Sequence, residues 1–364
     1  MLARIGLENF KSWRELNIEL GPLTILFGAN SSAKSSVIQA LLLLMQTQSK
    51  TSWESINFGG GSGDYINLGS YRDVVFAHDT SREILIGLYW WAGDWYAGKV
   101  TMCYENDVVK FNIQGDLEHL FTDLDDARPT QPFISYLGPL RQYPQRSYLW
   151  SGASPRRIEP NGENTIAVLI ASERSGDTVH KHVAEWLTKM ELVNAFEVTA
   201  LDKDKRFYET TVKVGVVTSS LLDVGFGISQ ILPVITLLFF VPEGSIVLLE
   251  QPELHLHPGA QAHLADLLLH VAETRKLQVI VESHSEHLLR RLQRRIAEVE
   301  SAFATPENIK MYFCEKGSGG STIRPVDVDI FGQILNWPEN FFGDLTGDLE
   351  KIKPSCRPAG KHLD

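Results

Sequence analysis

The stretch "FGANSSAKSS", Phe27 to Ser36, decides the fold. It follows the apolar run "LTILF" and precedes "SSVIQALLLLMQTQ", whose apolar density is typical of a helix buried in a core. It fits the pattern G-x-x-x-x-G-K-[ST], with Gly28, Lys34 and Ser35 in place and Ala33 where the second glycine normally lies. A strand, this loop and a helix, in that order, predict a phosphate-binding loop in an α/β core.

Such a loop binds nucleotide through defined chemistry. Backbone N–H groups wrap the β-phosphate at a helix N-terminus, Lys34 reaches the β- and γ-phosphate oxygens, and the Ser35 hydroxyl binds Mg²⁺. We therefore expect ATP and Mg²⁺ as ligands. The residues expected to contact the nucleotide are Asn30, Ser31, Ser32, Ala33, Lys34, Ser35 and Ser36.

One alternative explanation of the loop stays open on the motif alone. A serine-rich turn also caps ordinary helices, and Ser31 or Ser32 would be a good N-cap. Ala33 departs from the pattern, because a Cβ at a position that needs positive φ costs about 1 kcal/mol. This weakens the loop without abolishing it.

A second motif is "VLLEQPELHLHP", Val247 to Pro258, an apolar run that ends in a carboxylate. We expect Glu250 to coordinate Mg²⁺ directly or through water. Gln251 stands where a second acid is expected, and its amide cannot abstract a proton, although it could orient water. Glu253 is a candidate substitute base if the Pro252 turn brings it round. His255 and His257 are expected to cap or pack a turn rather than bind metal.

Two further stretches complete the pattern. "VESHSEHLLRR" (281–291) follows the next apolar strand, so His284 could contact the γ-phosphate or position water, while a helix cap at Ser283 or Ser285 is the alternative. "DVGFGISQILPV" (223–234) places two glycines before an apolar helix, a position suited to anions, although a plain glycine turn is commoner.

Composition excludes several classes of protein. The 364 residues carry a net charge of −11, which argues against a general polyanion binder, although a local basic surface stays possible. Three scattered cysteines support neither a disulfide framework nor a zinc site, so we expect a reducing cytoplasm. Charged residues interrupt the N-terminal apolar segment, so no signal peptide is expected, and no apolar run is long enough for a membrane span.

The organisation of the chain is also readable. Residues 51–72 are rich in Gly and Ser and predict a loop, and 83–114 alternate as in antiparallel strands. Helices are expected in 160–193, and the last third alternates strand and helix, which predicts a mostly parallel sheet with crossover helices. We expect the polar tail to fray. The aromatics Tyr89, Trp90, Trp91 and Trp95 are expected in the core rather than at an interface.

Together, "FGANSSAKSS", "DVGFGISQ", "VLLEQPELHLHP" and "VESHSEHLL" resemble the ABC/SMC-like AAA ATPases. That group includes the OLD-family ATPases and small ATPase subunits of bacterial anti-phage systems. "NFKSW", "LGPLRQYP" and "FGQILNWPENFFGD" (331–344) look like the same group, the last like one subgroup with the same Glu–Gln pair. The resemblance implies one ABC-type P-loop ATPase head over 1–345, with a mostly parallel sheet. Within it we place an antiparallel β insert at about 51–130, a helical and signature lobe at about 150–240, a half with the acidic strand and switch at 241–345, and a flexible tail at 346–364.

The resemblance also implies a head-to-tail dimer, in which each phosphate loop faces the signature loop of the other subunit. The signature falls on Val224 to Gln230, so Gly225, Gly227 and Ser229 are expected to face nucleotide, with Gly225 in place of the usual serine. The switch histidine falls on His284 and the catalytic glutamate position on Gln251. For the glutamine that links the lobes, the candidate is Gln142 or Arg141.

These departures predict a weak ATPase. Ala33, Gly225 and Gln251 reduce the hydrolytic apparatus and spare binding, and losing a base typically costs ~10²–10⁴ in rate. The leading hypothesis is an ATP-dependent dimerisation switch, a homodimer or higher oligomer, that regulates a separately encoded effector in defence against phage or foreign DNA. The alternatives are a DNA-clamping SMC-like head, for which the arginines of "EHLLRRLQRRI" (286–296) offer a basic helical face, and a scaffold that binds ATP without turnover.

Overall fold

The chain alternates strands and helices, and the computed structural model describes residues 1–115, 117, 120, 134–298 and 303–337. The strands are β1 (Leu2–Phe10), β2 (Trp13–Glu19), β3 (Leu23–Gly28), β4 (Ile84–Trp91), β5 (Trp95–Glu105), β6 (Val108–Gly115), β7 (Ile134–Leu137), β8 (Tyr148–Leu149), β9 (Ala195–Ala200), β10 (Phe207–Val214), β11 (Val217–Ser220), β12 (Ile246–Glu250), β13 (Gln278–Ser283), β14 (Ile309–Gly317) and β15 (Gly320–Pro325). The helices are α1 (Lys34–Thr51), α2 (Tyr71–Val74), α3 (Thr165–Ser175), α4 (Val179–Lys189), α5 (Phe226–Phe240), α6 (Pro258–Thr274) and α7 (Glu286–Ala297).

The central sheet has the strand order β15-β14-β3-β13-β12-β7. Its pairs are parallel except β14 with β15, which form an antiparallel hairpin. Strands β3, β12 and β13 are buried at every position, because helices or another sheet cover both faces. The prediction of a mostly parallel α/β sheet is confirmed, and it brings the carboxyl ends of β3, β13 and β12 to one edge.

A second, antiparallel sheet joins the N-terminus to the predicted β-rich segment, in the order β2-β1-β4-β5-β6. Between β1 and β3 the chain forms β2, which pairs antiparallel with β1. Helix α1 lies between this sheet and the central sheet, and the three share one apolar core. Residues 51–72 contain no strand and are loop up to α2, apart from the last turn of α1.

The other face of the central sheet packs on α3 to α7 and on a small sheet in which β10 pairs with β8, β9 and β11. The expected helical region is two helices, α3 and α4, separated by a turn at Gly176. Pro233 lies inside α5, yet the helix continues through it. Among the described helices, none combines the length and apolar character that crossing a bilayer requires.

The expectation for the four aromatics was wrong for three of them. Trp90 is buried, but Tyr89, Trp91 and Trp95 are 49%, 45% and 64% exposed. Successive side chains of β4 point to opposite faces, and only the face toward α1 is covered. Residues 116, 118, 119 and 121–130 of the predicted insert, the tail 346–364 and part of 331–344 lie outside the described residues.

Candidate nucleotide-binding site

The phosphate loop begins at Gly28, where β3 ends beside β14. Gly28 has φ +154°, and a Cβ there would lie 2.3 Å from the Cys314 carbonyl oxygen and 2.6 Å from Ser32 Oγ. Only glycine fits this close approach of two backbones. The loop therefore leaves the sheet in one fixed direction, toward the N-terminus of α1.

The departure at Ala33 occurs at a strained position. Ala33 is the N-cap of α1 with φ 68° and ψ 20°, in the left-handed region, and Ser31 has φ 63°. Because Ala33 takes positive φ, its Cβ is expected to cost about 1 kcal/mol relative to the glycine that the motif normally has here. Trp13 Nε1 donates a hydrogen bond of 3.1 Å to the Ala33 carbonyl oxygen, so the "NFKSW" segment supports the loop directly.

The loop has an exposed rim and a buried floor. Asn30 and Ser31 are exposed, whereas Ser32 and Ser36 are buried. The Ser32 and Ser36 N–H groups donate to the carbonyls of Ala29 and Ala33, respectively. Ser32 Oγ is buried without a hydrogen-bond partner. No side chain caps α1, so the alternative explanation, a serine N-cap, is wrong.

Lys34 is the first residue of α1, and its side chain is buried. Its ammonium donates to the carbonyl oxygens of Gly28 (3.0 Å) and Ala29 (2.9 Å), and Nζ lies 3.7 Å from Glu282 Oε1. Burial lowers the pKa of Lys34, and the Glu282 carboxylate opposes that shift. A cation thus stands inside the loop, where the motif places the phosphates.

The sheet edge beside the loop carries two glutamates in register. Glu250 at the end of β12 pairs with Glu282 of β13, which pairs with Leu26 of β3. Register partners in a parallel sheet point to the same face, here the face that packs on α1. Burial, and then the Glu282 charge, raise the pKa of Glu250 to about 7. Glu282 was not predicted as a site residue, because "VIVES" has the pattern of an ordinary buried strand.

Glu250 has partners from two other elements that the sequence did not indicate. Tyr136 of β7 donates its hydroxyl to Glu250 Oε1 at 3.1 Å, and burial together with that carboxylate raises the pKa of Tyr136. Lys11, in the turn after β1, interacts electrostatically with Glu250 and donates to Gln39 of α1. Glu250 is therefore held in place before any cation binds.

These residues suit Mg²⁺ bound together with a nucleotide. In the described part of the chain, no group of three or more His, Cys, Asp or Glu side chains could hold a metal by itself. Mg²⁺ normally uses one or two protein oxygens plus phosphate oxygens and water. Two protein oxygens can come from Ser35 at the start of α1 and from Glu250. Tyr136 donates to only one oxygen of Glu250, Oε1, which leaves Oε2 for the metal ion.

Gln251, Glu253 and His284 come together just beyond the sheet edge. Gln251 has φ 45°, and its N–H donates to the Glu282 carbonyl oxygen at 2.9 Å. The Pro252 turn does bring Glu253 back. Glu253 Oε1 accepts from Ser283 Oγ (2.8 Å) and the His284 N–H (2.7 Å), and burial raises the pKa of Glu253.

His284 lies beside the phosphate loop. Burial, and then the Lys34 charge, lower the pKa of His284, while a hydrogen bond with the Gly28 backbone opposes the shift. Its imidazole is therefore favoured in the neutral form. The alternative was a helix cap at Ser283 or Ser285. Ser285 does cap α7, because its hydroxyl accepts a hydrogen bond from the Leu288 N–H.

Of the two candidates for the lobe-linking residue, Arg141 contacts the acidic strand and Gln142 does not. Arg141 is buried, and its guanidinium donates to the carbonyl oxygens of Glu250 (3.0 Å) and Gln251 (3.4 Å), and to that of Gln230 in α5 (3.4 Å). Burial lowers the pKa of Arg141 to about 10. Gln142 is exposed and contacts Asn161 and Glu163 in the helical region instead.

The glycines of the predicted signature differ in role. Gly225 caps α5 and is exposed, and a Cβ added to it would meet no atom within 4 Å, whereas a Cβ on Gly227 would lie 2.6 Å from the His255 carbonyl oxygen. Phe226 stacks edge-on with His255. Ser229 Oγ donates to the Phe226 carbonyl within the helix. Gly225 is thus the signature residue open to a partner, and Gly227 packs against its own chain.

Two sequence alternatives are decided by local contacts. His257 Nδ1 accepts from the Gly259 N–H as the N-cap of α6, so this pair caps and packs a turn as expected. The arginines of α7 are all matched by acids, in the pairs Arg290–Glu286, Arg291–Asp266, Arg294–Glu298, and Arg295 with Asp266 and Glu298. This face is a paired helix surface and not a free basic patch.

Comparison with known families gives three matches along the chain. Residues 4–126 match a family described as "AAA domain", and residues 155–290 match one described as "AAA domain, putative AbiEii toxin, Type IV TA system". Residues 305–352 match the family DUF3696. The two AAA matches contain the phosphate loop, the signature, the acidic strand and His284.

Comparison with single proteins points the same way. The OLD nuclease of Thermus scotoductus is 22% identical over 78% of this chain, and the match spans 59% of that protein's length. An SMC head bound to the C-terminal winged-helix domain of ScpA aligns with a TM-score of 0.56 and 13% identity over 90% of this chain and 98% of that one. The head of Pyrococcus furiosus Smc with an extended coiled coil, bound to the C-terminal domain of ScpA, gives 0.56 and 13% over 89% and 96%. The phosphate loop, the two AAA-domain matches and the SMC-head fold together support an ABC/SMC-like AAA ATPase.

Proposed function

We propose that the protein is an ATP-dependent dimerisation switch that hydrolyses ATP slowly. The observation that carries this proposal is a phosphate loop that keeps Gly28, Lys34 and Ser35, combined with Gln251 where the catalytic glutamate is expected. Lys34 is already inside the loop, bonded to Gly28 and Ala29. Gln251, next to Glu250, offers an amide where a carboxylate would take a proton. Binding is therefore retained while turnover is reduced.

Dimerisation around nucleotide is supported by the exposed signature. Gly225 is open at the N-terminus of α5, a 15-residue helix whose first N–H groups favour an anion. A second copy placed head to tail would bring its own loop-bound γ-phosphate to this helix end. Gly225 has no hydroxyl, so contact would be made by backbone N–H alone. The result is a homodimer, or a higher oligomer, that ATP stabilises by binding it better than the monomer.

The switch would act on a separately encoded effector in the cytoplasm. Two solved SMC heads of the same fold are bound to a part of ScpA, so this fold accommodates a partner protein. The matching family description names a Type IV toxin–antitoxin system, and the OLD nuclease is a distant relative. We infer a role in bacterial defence against phage or foreign DNA, in which the ATP-bound dimer sets the state of the effector.

The oligomeric state tests the switch directly. Light scattering during gel filtration should show a shift to dimer or larger with Mg²⁺–ATP, no shift with ADP, and no shift for Lys34→Ala with either nucleotide. Phosphate release by the wild-type protein, with Lys34→Ala as blank, should be slow but above the blank. A mass that ATP leaves unchanged would overturn the switch, and phosphate release equal to the blank would favour the scaffold without turnover.

DNA clamping is not favoured, because each arginine of α7 already pairs with an acid and the net charge is −11. Duplex binding measured at 50 and 200 mM salt distinguishes the two functions. We expect no steep salt dependence, since the described chain offers few free cations on this face. Strong binding at low salt that falls by orders of magnitude at high salt would support the clamp instead.

A further inference from the structure

The Glu282 carboxylate is the acidic group best placed to serve the reaction that Gln251 cannot. Strand β13 lies between β3, which leads into the phosphate loop, and β12, which delivers Glu250. Because Leu26, Glu282 and Glu250 are in register, the Glu282 side chain is on the face that packs on α1. It therefore stands between the phosphate-binding cation and the expected metal ligand.

The two oxygens of Glu282 have different surroundings. Oε1 lies 3.7 Å from Lys34 Nζ, which orients the carboxylate toward the phosphate loop. Oε2 is buried and has no hydrogen-bond partner, although the side chain is only 4% exposed. A buried carboxylate oxygen without a partner is costly, and such orphans call for an explanation. A water held between this oxygen and the γ-phosphate would supply the missing donor.

The rival carboxylate, Glu253, also has one buried oxygen without a hydrogen-bond partner, Oε2, but its other oxygen is fixed on the opposite side of the sheet. Its Oε1 is occupied by two donors, Ser283 Oγ and the His284 N–H. Ser283 follows Glu282 in β13 and so points to the opposite face of the sheet, away from α1. Glu253 thus fixes the position of His284, and Glu282 is the carboxylate that faces Lys34.

We propose that Glu282 is the general base of ATP hydrolysis in this protein; this rests on the proposed function, because it names the residue responsible for slow turnover. One O–H bond of the attacking water breaks and its proton passes to Glu282 Oε2. The water oxygen forms a bond to the γ-phosphorus as the bond to the bridging oxygen of ADP breaks. The electron pair of that bond leaves with ADP, and Glu282 returns the proton to phosphate or solvent.

The test is the variant Glu282→Gln, which keeps the shape of the side chain and removes the carboxylate that would accept the proton. We expect phosphate release per enzyme to fall by about 10²–10⁴ from the wild-type value, or to the Lys34→Ala blank, with ATP affinity changed less than about tenfold. The ATP-bound dimer should persist longer, seen as slower loss of a pre-bound fluorescent ATP analogue after dilution. Glu282→Asp should restore part of the turnover. Glu315→Gln, at a partly exposed glutamate of β14 that pairs with Arg324, is the matched control and should behave as wild type.

Each alternative gives a different result. If Glu282→Gln weakens ATP binding strongly and leaves turnover at saturating ATP intact, Glu282 only neutralises Lys34 and the proposal is overturned. Loss of turnover in Glu253→Gln but not in Glu282→Gln assigns the base to Glu253. A wild-type protein that binds ATP and dimerises without releasing phosphate overturns both this proposal and slow hydrolysis, but not the switch. If Glu282→Gln does not fold, Glu282→Asp decides: wild-type turnover in that variant overturns the proposal.

Discussion

Lys34 and Glu282 form an ion pair inside the protein, with 3.7 Å between Nζ and Oε1 and with both side chains almost fully buried. The pair is made without nucleotide, so it is a feature of the free protein as well as of the site. Two charges removed from water depend on one another, because each would otherwise be left uncompensated.

We predict that Lys34→Met lowers the free energy of unfolding by on the order of 3 kcal/mol, since it leaves Glu282 buried without its cation. The double variant Lys34→Met/Glu282→Gln should recover part of that loss, with a coupling energy of about 1–3 kcal/mol. Urea unfolding of the wild type, both single variants and the double variant measures it. Strictly additive losses would show that the pair does not interact.

Restoring the missing acid is the second prediction. Gln251→Glu should raise the rate of phosphate release by about 10²-fold or more, because a carboxylate at this position can accept the proton of the attacking water. Gln114→Glu, at an exposed position of β6, makes the same chemical change far from the loop and should have no effect. A Gln251→Glu protein that turns over no faster than wild type would show that position 251 is not the missing base.

The signature glycines give the third prediction. Gly227→Ala should lower the melting temperature, by the equivalent of about 1–3 kcal/mol, because its Cβ meets the backbone carbonyl of His255 at 2.6 Å. Gly225→Ala has open space and should melt as wild type, while the ATP-dependent shift to dimer weakens. Thermal unfolding and light scattering together separate the two effects. Equal melting of both variants would mean that the approach at Gly227 is easily relaxed.

The fourth prediction concerns pH. The pKa of Glu250 is about 7 in the folded protein, above its ordinary value near 4.5. Its contribution to stability is therefore complete below about pH 4.5 and is lost as pH rises through 7. In chelator and without nucleotide, we expect Glu250→Gln to be more stable than wild type at pH 8.5, by on the order of 2–3 kcal/mol.

The same comparison at pH 5.5 provides the control. There Glu250 is mostly protonated in the folded protein but mostly ionised in the unfolded one, so the difference in stability between the two proteins should be about 1 kcal/mol, smaller than at pH 8.5. A difference that is constant from pH 5.5 to 8.5, or that shrinks as pH rises, would contradict the raised pKa.

The site was predictable from sequence where it is encoded locally. The loop from Gly28 to Ser35 and the glutamate that ends β12 follow from short patterns whose backbone geometry depends mainly on their own residues. Even the departure at Ala33 had a consequence that could be stated in advance, since the backbone at this turn takes positive φ. The parallel sheet likewise follows from alternating strands and helices.

Residues that enter the site through strand order were missed. Glu282 lies beside Lys34 only because β13 is inserted between β3 and β12, and Tyr136 reaches Glu250 only because β7 is the next strand. Trp13 contacts Ala33 across a turn between two strands of the other sheet. None of these neighbours is close in sequence, so no local sequence pattern predicts the contact. The choice between Arg141 and Gln142 could not be made from the sequence for the same reason, because the partners of Arg141 are distant in sequence.

Arg141 contacts the site through main-chain atoms and not through the side chains of its partners. All three of its acceptors, at Gln230, Glu250 and Gln251, are main-chain carbonyl oxygens. A replacement at any of those positions changes the side chain and leaves the acceptor of the hydrogen bond in place. The link between the end of β12 and helix α5 thus does not depend on which side chain stands at position 251. An exchange between glutamine and glutamate at position 251 therefore leaves the three hydrogen bonds that join β12 to α5 in place.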